Sequence, residues 1–140
     1  MAKYVHRNAY IAIGGTSYSD HANSLTITDE AERIDFTSFS ANGYREFGQG
    51  LRDASIEVTF FQDFASGSIH QALQPLYASG TTFAVEVRPV NAAVSATNPS
   101  GTMLARMNSY SGFGGKVGDA AEVEVKFDNA GTLGLVWGTA

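Results

Sequence analysis

Three stretches alternate apolar and polar residues strictly enough to read as strands with one buried face. Residues 55–62 set Ile56, Val58 and Phe60 against Ser55, Glu57 and Thr59. Residues 81–88 set Phe83, Val85 and Val87 against Glu86 and Arg88, and residues 121–127 set Val123, Val125 and Phe127 against Glu122, Glu124 and Lys126. Successive strand side chains point to opposite faces, so a period of two with one apolar phase means one face packed and one wet. Shorter or weaker runs follow the same rule. Residues 9–13 are apolar, Gly14-Gly15 reads as a hairpin turn, and residues 16–19 return. Residues 24–28 place Leu25 and Ile27 together, and Ile34, Phe36 and Phe39 resume the alternation after an acidic stretch. Residues 102–110 put Leu104 and Arg106 on one face and Met103, Ala105 and Met107 on the other, and residues 133–137 form a last short strand.

The period changes once. Over residues 68–80, Ile69, Ala72, Leu73, Leu76 and Tyr77 recur at helical spacing. Ser68 with Gln71 three residues on has capping-box spacing, and Gly80 suits a C-cap. Pro75 removes a hydrogen bond and crowds the turn before it, which predicts a kink over 71–74 or a helix restarting at Pro75. The sum is about eight strands and one short α-helix joined by hairpin-length turns. It predicts a mainly β fold, an antiparallel β-sandwich or barrel, in a single domain over residues 1–140.

One connection is out of proportion. Residues 38–52 are polar, contain Gly43, Gly48 and Gly50, and carry Phe39, Tyr44 and Phe47. A loop of that length inside a compact domain is usually functional or disordered. Aromatic and Arg side chains supply most interface energy, so Phe39, Tyr44, Arg45, Phe47 and Leu51 are candidate contacts to another subunit. Two other readings stand beside this: the rings fold back on the core, or they stack on sugars together with Tyr18 and Trp137.

Composition narrows the chemistry. The chain has 140 residues, no cysteine, nine Lys and Arg against fourteen Asp and Glu, a net charge of −5 and a pI of about 5.0. No disulfide or thiolate chemistry is available, and no basic patch for wrapping nucleic acid can be assembled. No apolar run approaches the ~20 residues of a membrane helix, and residues 1–10 lack the apolar core of a signal peptide. The expectation is a protein made in a cytoplasm, away from any membrane.

No catalytic constellation emerges. His6, His21 and His70 have no ligand partner at metal spacing, and no G-x-S-x-G elbow or strand–GxGxxG–helix context is present. Asp29, Glu30, Glu32 and Asp35 lack the alternation of a calcium loop and read as a solvated acidic turn. Glu57, Glu86, Glu122 and Glu124 lie on polar strand faces, where Arg88, Arg106 and Lys126 can pair with them across strands. No catalytic residue, metal or cofactor is expected.

The order of motifs resembles the tail tube (major tail) proteins of long, non-contractile-tailed bacteriophages and related gene-transfer particles. The residues carrying it are Ile34-Asp35-Phe36-Thr37-Ser38, Gly43-Tyr44-Arg45-Glu46, and Gly50-Leu51-Arg52-Asp53 leading into Ser55 to Asp63. A helix ending at Gly80, the strand Phe83 to Pro89, a Gly-rich turn over 112–118 and the strand Val123 to Phe127 follow in the family's order. Phe36 stands where Val is commoner.

The resemblance implies a non-enzymatic virion protein, assembled in the host cytoplasm, whose copies form hexameric rings stacked into a hollow tube. Sheets of six subunits would join around a lumen that DNA traverses at ejection, and the long loop would reach a neighbouring subunit. Tape measure and terminator proteins would be further partners. Glu57, Glu86, Glu122 and Glu124 become candidates for the lumen wall. The loop over 38–52 is expected to be mobile in the free subunit and ordered in the tube. A tail terminator, a secretion-system tube subunit and a carbohydrate-binding β-sandwich are the competing assignments.

Overall fold

The computed structural model describes Lys3, Val5 and residues 7–139; His6 lies outside the described residues. The strands are β1 (Tyr10–Ile13), β2 (Thr16–Ser17), β3 (Ala22–Asp35), β4 (Phe47–Phe61), β5 (Phe83–Arg88), β6 (Ser100–Met107), β7 (Glu122–Asn129) and β8 (Val136–Gly138), with α1 (Ile69–Ser79) between β4 and β5. All pairings are antiparallel. The expected mainly β architecture with one short helix is therefore what the protein forms.

The strands make one sheet, in the order β2-β1-β5-β6-β7-β4-β3, with β8 beside the first half of β6. The register explains the buried face. Ile56 lies opposite Phe127, Val58 opposite Val125 and Phe60 opposite Val123, all inward. Val85 faces Met103, Phe83 faces Ala105 and Ile11 faces Val87 on the same side. Ile11 and Ile13 near one end of the strand order share a core with Leu25 and Ile27 from the other end. The sheet is thus curled around its apolar face, and Ile69 and Leu73 of α1 insert into the curl. Phe83 and Phe127 meet edge to face there, with centroids 5.6 Å apart.

The helix differs from its sequence reading in three ways. It runs unbroken through Pro75. Pro75 and Gln71, whose carbonyl loses its intrahelical donor, both lie on the exposed side, where water can satisfy that oxygen. Tyr77 sits on the flank of the apolar stripe and is largely exposed. The capping box does not form. Ser68 Oγ donates to Asp63 Oδ2 (2.8 Å), and Gln71 Oε1 accepts from Gly67 N (3.0 Å). Asp63 organises the entry instead: its carbonyl takes the His70 N–H and its Oδ1 takes the Ala65 N–H. Gly80 caps the C-terminus in the left-handed conformation, as expected.

Asn98 is a buried organiser of the loop before β6. Its Oδ1 accepts from Val90 N (3.0 Å), and its Nδ2 reaches the carbonyls of Val90, Ala92 and Ala93. A polar group can be 7% exposed at no great cost only when paired in this way.

Candidate functional site

The connection over residues 38–52, a loop by its sequence, is mostly strand at its second end. β3 and β4 pair from Ala22↔Phe60 out to Asp35↔Phe47, and the turn proper is confined to residues 36–46. Phe47, Leu51 and Arg52 belong to β4. The acidic residues Asp29, Glu30 and Glu32, expected in a turn, belong to β3, so that expectation is corrected too. Composition hides most of both strands: this half of the hairpin is exposed on both faces, and beyond the Ile34–Phe36 alternation period two carries little hydrophobic signal.

β7 accompanies β4 only from Phe61 to Ser55. Beyond Ser55 the hairpin continues for seven or more residues per strand with no third strand beside it among the described residues. At 3.4 Å per residue it projects about 24 Å. Every β3 residue from 29 to 35 is exposed. A lone two-stranded ribbon of this kind is marginal in water, so its local devices matter. Arg52 Nη2 donates to Asp29 Oδ2 (2.9 Å), an exposed pair worth at most about 1 kcal/mol. The Arg33 guanidinium covers the Phe47 ring at 3.2 Å from its centroid. Ile34 and Phe36 lie over Gly50 and Gly48. The ladder steps from Ala31↔Arg52 to Arg33↔Gln49, two residues against three, so β4 bulges beside Glu32 and Leu51 is pushed into solvent.

The tip is closed by short polar contacts. Phe36 N donates to Glu46 O (2.9 Å), Glu46 N donates to Thr37 Oγ1 (2.9 Å), and Thr37 N donates to Asp35 Oδ1 (2.8 Å). The Thr37 hydroxyl first, and its N–H second, hold the Asp35 carboxyl below its usual range. Beyond this clasp a 3-10 turn, Phe39–Ala41, leads into Asn42 and Gly43. Phe39 is fully exposed, Tyr44 is 80% exposed, Phe36 62% and Leu51 80%. Arg45 is exposed as well. None of these rings folds back on the core. Phe47, capped by Arg33, is more covered than Phe39, Tyr44 or Leu51.

Glu57, Glu86, Glu122 and Glu124 lie on the polar, outward faces of their strands. Glu57 lies opposite Lys126, Glu124 opposite Thr59, Glu122 opposite Phe61, and Glu86 opposite Thr102. They are not a uniform acidic wall. Glu86 Oε2 is held by Arg88 at 2.6 Å, and Arg88 also covers the Tyr10 ring. Asn23 Nδ2 donates to Glu122 Oε1 (3.0 Å), and Arg106 stands opposite Asp128. Glu57 and Glu124 are the carboxylates with the least fixed partners of the four.

At the end of the β3–β4 ladder remote from the arm lies a polar cluster that the sequence did not single out. His21 Nδ1 meets Asp20 Oδ1 (2.9 Å), and its Nε2 meets Asp63 Oδ2 (3.0 Å), with Ser68 Oγ 3.4 Å away. The Asp20 hydrogen bond is the main reason the His21 pKa is raised; burial opposes it and Asp63 adds to it. The Asp63 carboxyl is lowered by the Ala65 N–H, then Ser68, then His21. The cluster ties the start of β3 and the end of β4 to the start of α1. His70, the other histidine described, bonds Tyr110 Oη through Nδ1 (2.8 Å). No group of three metal-ligating side chains occurs among the described residues. Tyr18 packs on the core, so it does not join Tyr44, Phe47 and Trp137 in one exposed sugar platform.

No protein-family model matches the sequence, and no curated protein does. Solved structures do. A subunit of the virion of a native gene transfer agent particle superimposes with a TM-score of 0.72 at 19% identity, over 93% of this protein and 95% of that one. A subunit of the tail of an empty gene transfer agent particle, determined with C6 symmetry, gives 0.66 at 23% identity over 86% and 83%. A subunit of the SPP1 tail tube gives 0.74 at 15% identity over 99% and 80%. The protein has the tail-tube fold, and the resemblance read from the motif order holds at the level of fold.

Proposed function

We propose that the protein is the structural subunit of a phage-type tail tube, a virion component with no catalytic role. Its copies would form hexameric rings that stack into a hollow tube for DNA ejection. The observation carrying this reading is the β3–β4 arm. Phe36, Phe39 and Tyr44 leave on the order of 500 Å² of ring surface in water. A standard interface needs ~800 Å² per partner, and apolar surface on that scale marks an interaction site. A second copy of the protein is the occupant that the fold supports, since the matching structures are a virion, a tail and a tail tube.

The C6 symmetry of the gene transfer agent tail supports six subunits per ring. β3 offers the means of joining them: among the described residues its outer edge pairs with no strand along Ala22–Asp35. Unpaired edges of that length bind other strands. Phe39, Tyr44, Arg45 and Leu51 would then contact the neighbour, with Phe36 added and Phe47 acting chiefly as the ring that Arg33 clamps.

Glu57 and Glu124, with Glu86 and Glu122 in paired roles, would line the lumen. A net negative wall keeps a passing phosphate backbone from binding, because affinity for DNA grows with the number of phosphates neutralised. Tape measure and terminator proteins would meet the tube along its lumen and at its end. Electron microscopy of the purified protein tests the reading: rings or tubes support it, and a monomer at every concentration and salt overturns it. Hydrogen exchange over the tip, residues 38–45, adds a second readout, with protection there expected only after assembly.

A further inference from the structure

We propose that Asn42 is a site of spontaneous deamidation, a chemical clock that runs on the exposed arm tip. Asn42-Gly43 is the one Asn–Gly pair in the sequence. Asn42 has φ 58° and ψ 34°, and Gly43 has φ 85°, the signs of a type I′ turn. Both residues are exposed, and the Asn42 amide makes no hydrogen bond among the described residues.

The chemistry needs only water. The Gly43 amide nitrogen, after losing its proton to hydroxide, attacks Cγ of Asn42. A new N–C bond closes a five-membered succinimide, the Cγ–Nδ2 bond of Asn42 breaks, and ammonia leaves with a proton from solvent. Water then adds to either ring carbonyl. One opening gives Asp; the other gives isoaspartate, with one more carbon in the backbone. Glycine on the C-terminal side places no Cβ in the path of the closing ring.

Ring closure requires Asn42 ψ to turn well away from 34°. Little prevents this in the free subunit. The clasp of Asp35, Thr37 and Glu46 ends before residue 39, and among the described residues no hydrogen bond to another element reaches residues 42–44. Phe39 and Tyr44 flank the turn, both highly exposed. Either product adds a negative charge between these rings, and isoaspartate lengthens the tight turn as well. On the reading that the tip docks on a second copy, docking fixes ψ and stops the clock, and reacted subunits lose the ability to assemble.

The test incubates purified subunit in mildly alkaline buffer and follows tryptic peptides by mass and by isoaspartyl methyltransferase labelling. The replacement of NH2 by OH is expected at residues 42–43 roughly tenfold faster than at Asn8, Asn23, Asn91, Asn98, Asn108 or Asn129. Asn42→Gly, which keeps the turn type, is expected to abolish the labelled product. No preference for 42–43, or equal labelling of N42G, overturns the proposal. Assembled protein is expected to react more slowly than free subunit; equal rates overturn the protective role of docking. A subunit that deamidates at Asn42 yet never assembles would leave the chemistry standing and sink the functional reading instead.

Discussion

The ring of Phe36 lies directly over Gly48, so close that a Cβ there would stand 2.5 Å from Phe36 Cε2. The same relation repeats one step along, where a Cβ at Gly50 would meet Ile34 Cδ1 at 2.7 Å. Glycine inside a strand normally weakens it. Here two alternate glycines let two apolar side chains lie flat on the partner strand, in place of the core the arm lacks. Gly48→Ala should therefore swing the Phe36 ring out at a cost on the order of 1 kcal/mol, felt only in the arm. The expected result is faster exchange of the amides from 47 to 50, a nearly unchanged global Tm, and impaired assembly.

Phe127 sits at the other extreme. It is fully buried, opposite Ile56 in the ladder and edge-on to Phe83. Phe127→Ala should cost about 3–5 kcal/mol, a large share of the ~5–15 kcal/mol of a typical domain. Urea unfolding followed by tryptophan fluorescence or circular dichroism would show a lowered midpoint. A loss under about 1 kcal/mol, within reach of surface substitutions, would mean this position is not core.

The His21–Asp63 cluster, at the end of the β3–β4 ladder remote from the arm, sets a pH optimum. The His21 pKa is raised, so its contribution is complete below the unfolded value of about 6.5 and fades as pH climbs through the folded value. The Asp63 pKa is lowered, so its contribution is complete above about 3.9 and fades as pH falls through the folded value. Between those limits both are present. His21→Gln should flatten the decline on the alkaline side and leave the acid side largely intact. NMR titration of the His21 ring gives the folded pKa directly; a value at or below about 6.5 contradicts the arrangement.

How much of this was legible in the sequence follows from where apolar surface is buried. The cores of β4, β5, β6 and β7 were plain because Ile56, Val85, Met103 and Val125 and their neighbours alternate with polar residues over a one-sided sheet. The arm was legible only at Ile34 and Phe36, because a ribbon wet on both faces has little phase to reveal. Gly48 and Gly50 opposite Ile34 and Phe36, each pair two apart, were the available signal for strand pairing there. Asn98 and the His21–Asp63 pair were beyond reach for a different reason. Their partners are backbone carbonyls or lie 42 residues away, and no local spacing encodes such contacts. The four carboxylates alternate with buried residues along their strands, but the fold decided which of them Arg88 and Asn23 engage.

The central claim is that the arm exists to bind another copy of the protein. It is tested most directly by imaging purified wild-type protein beside the Phe39→Ser/Tyr44→Ser double variant in the electron microscope. Both altered side chains are exposed and outside the core, so the variant should fold with wild-type circular dichroism and Tm. Six-fold rings or stacked tubes from the wild type, and monomers from the variant at the same concentration, are the predicted result. Tubes formed equally well by both proteins would contradict the role of the arm tip, and monomers from both would contradict the tube itself.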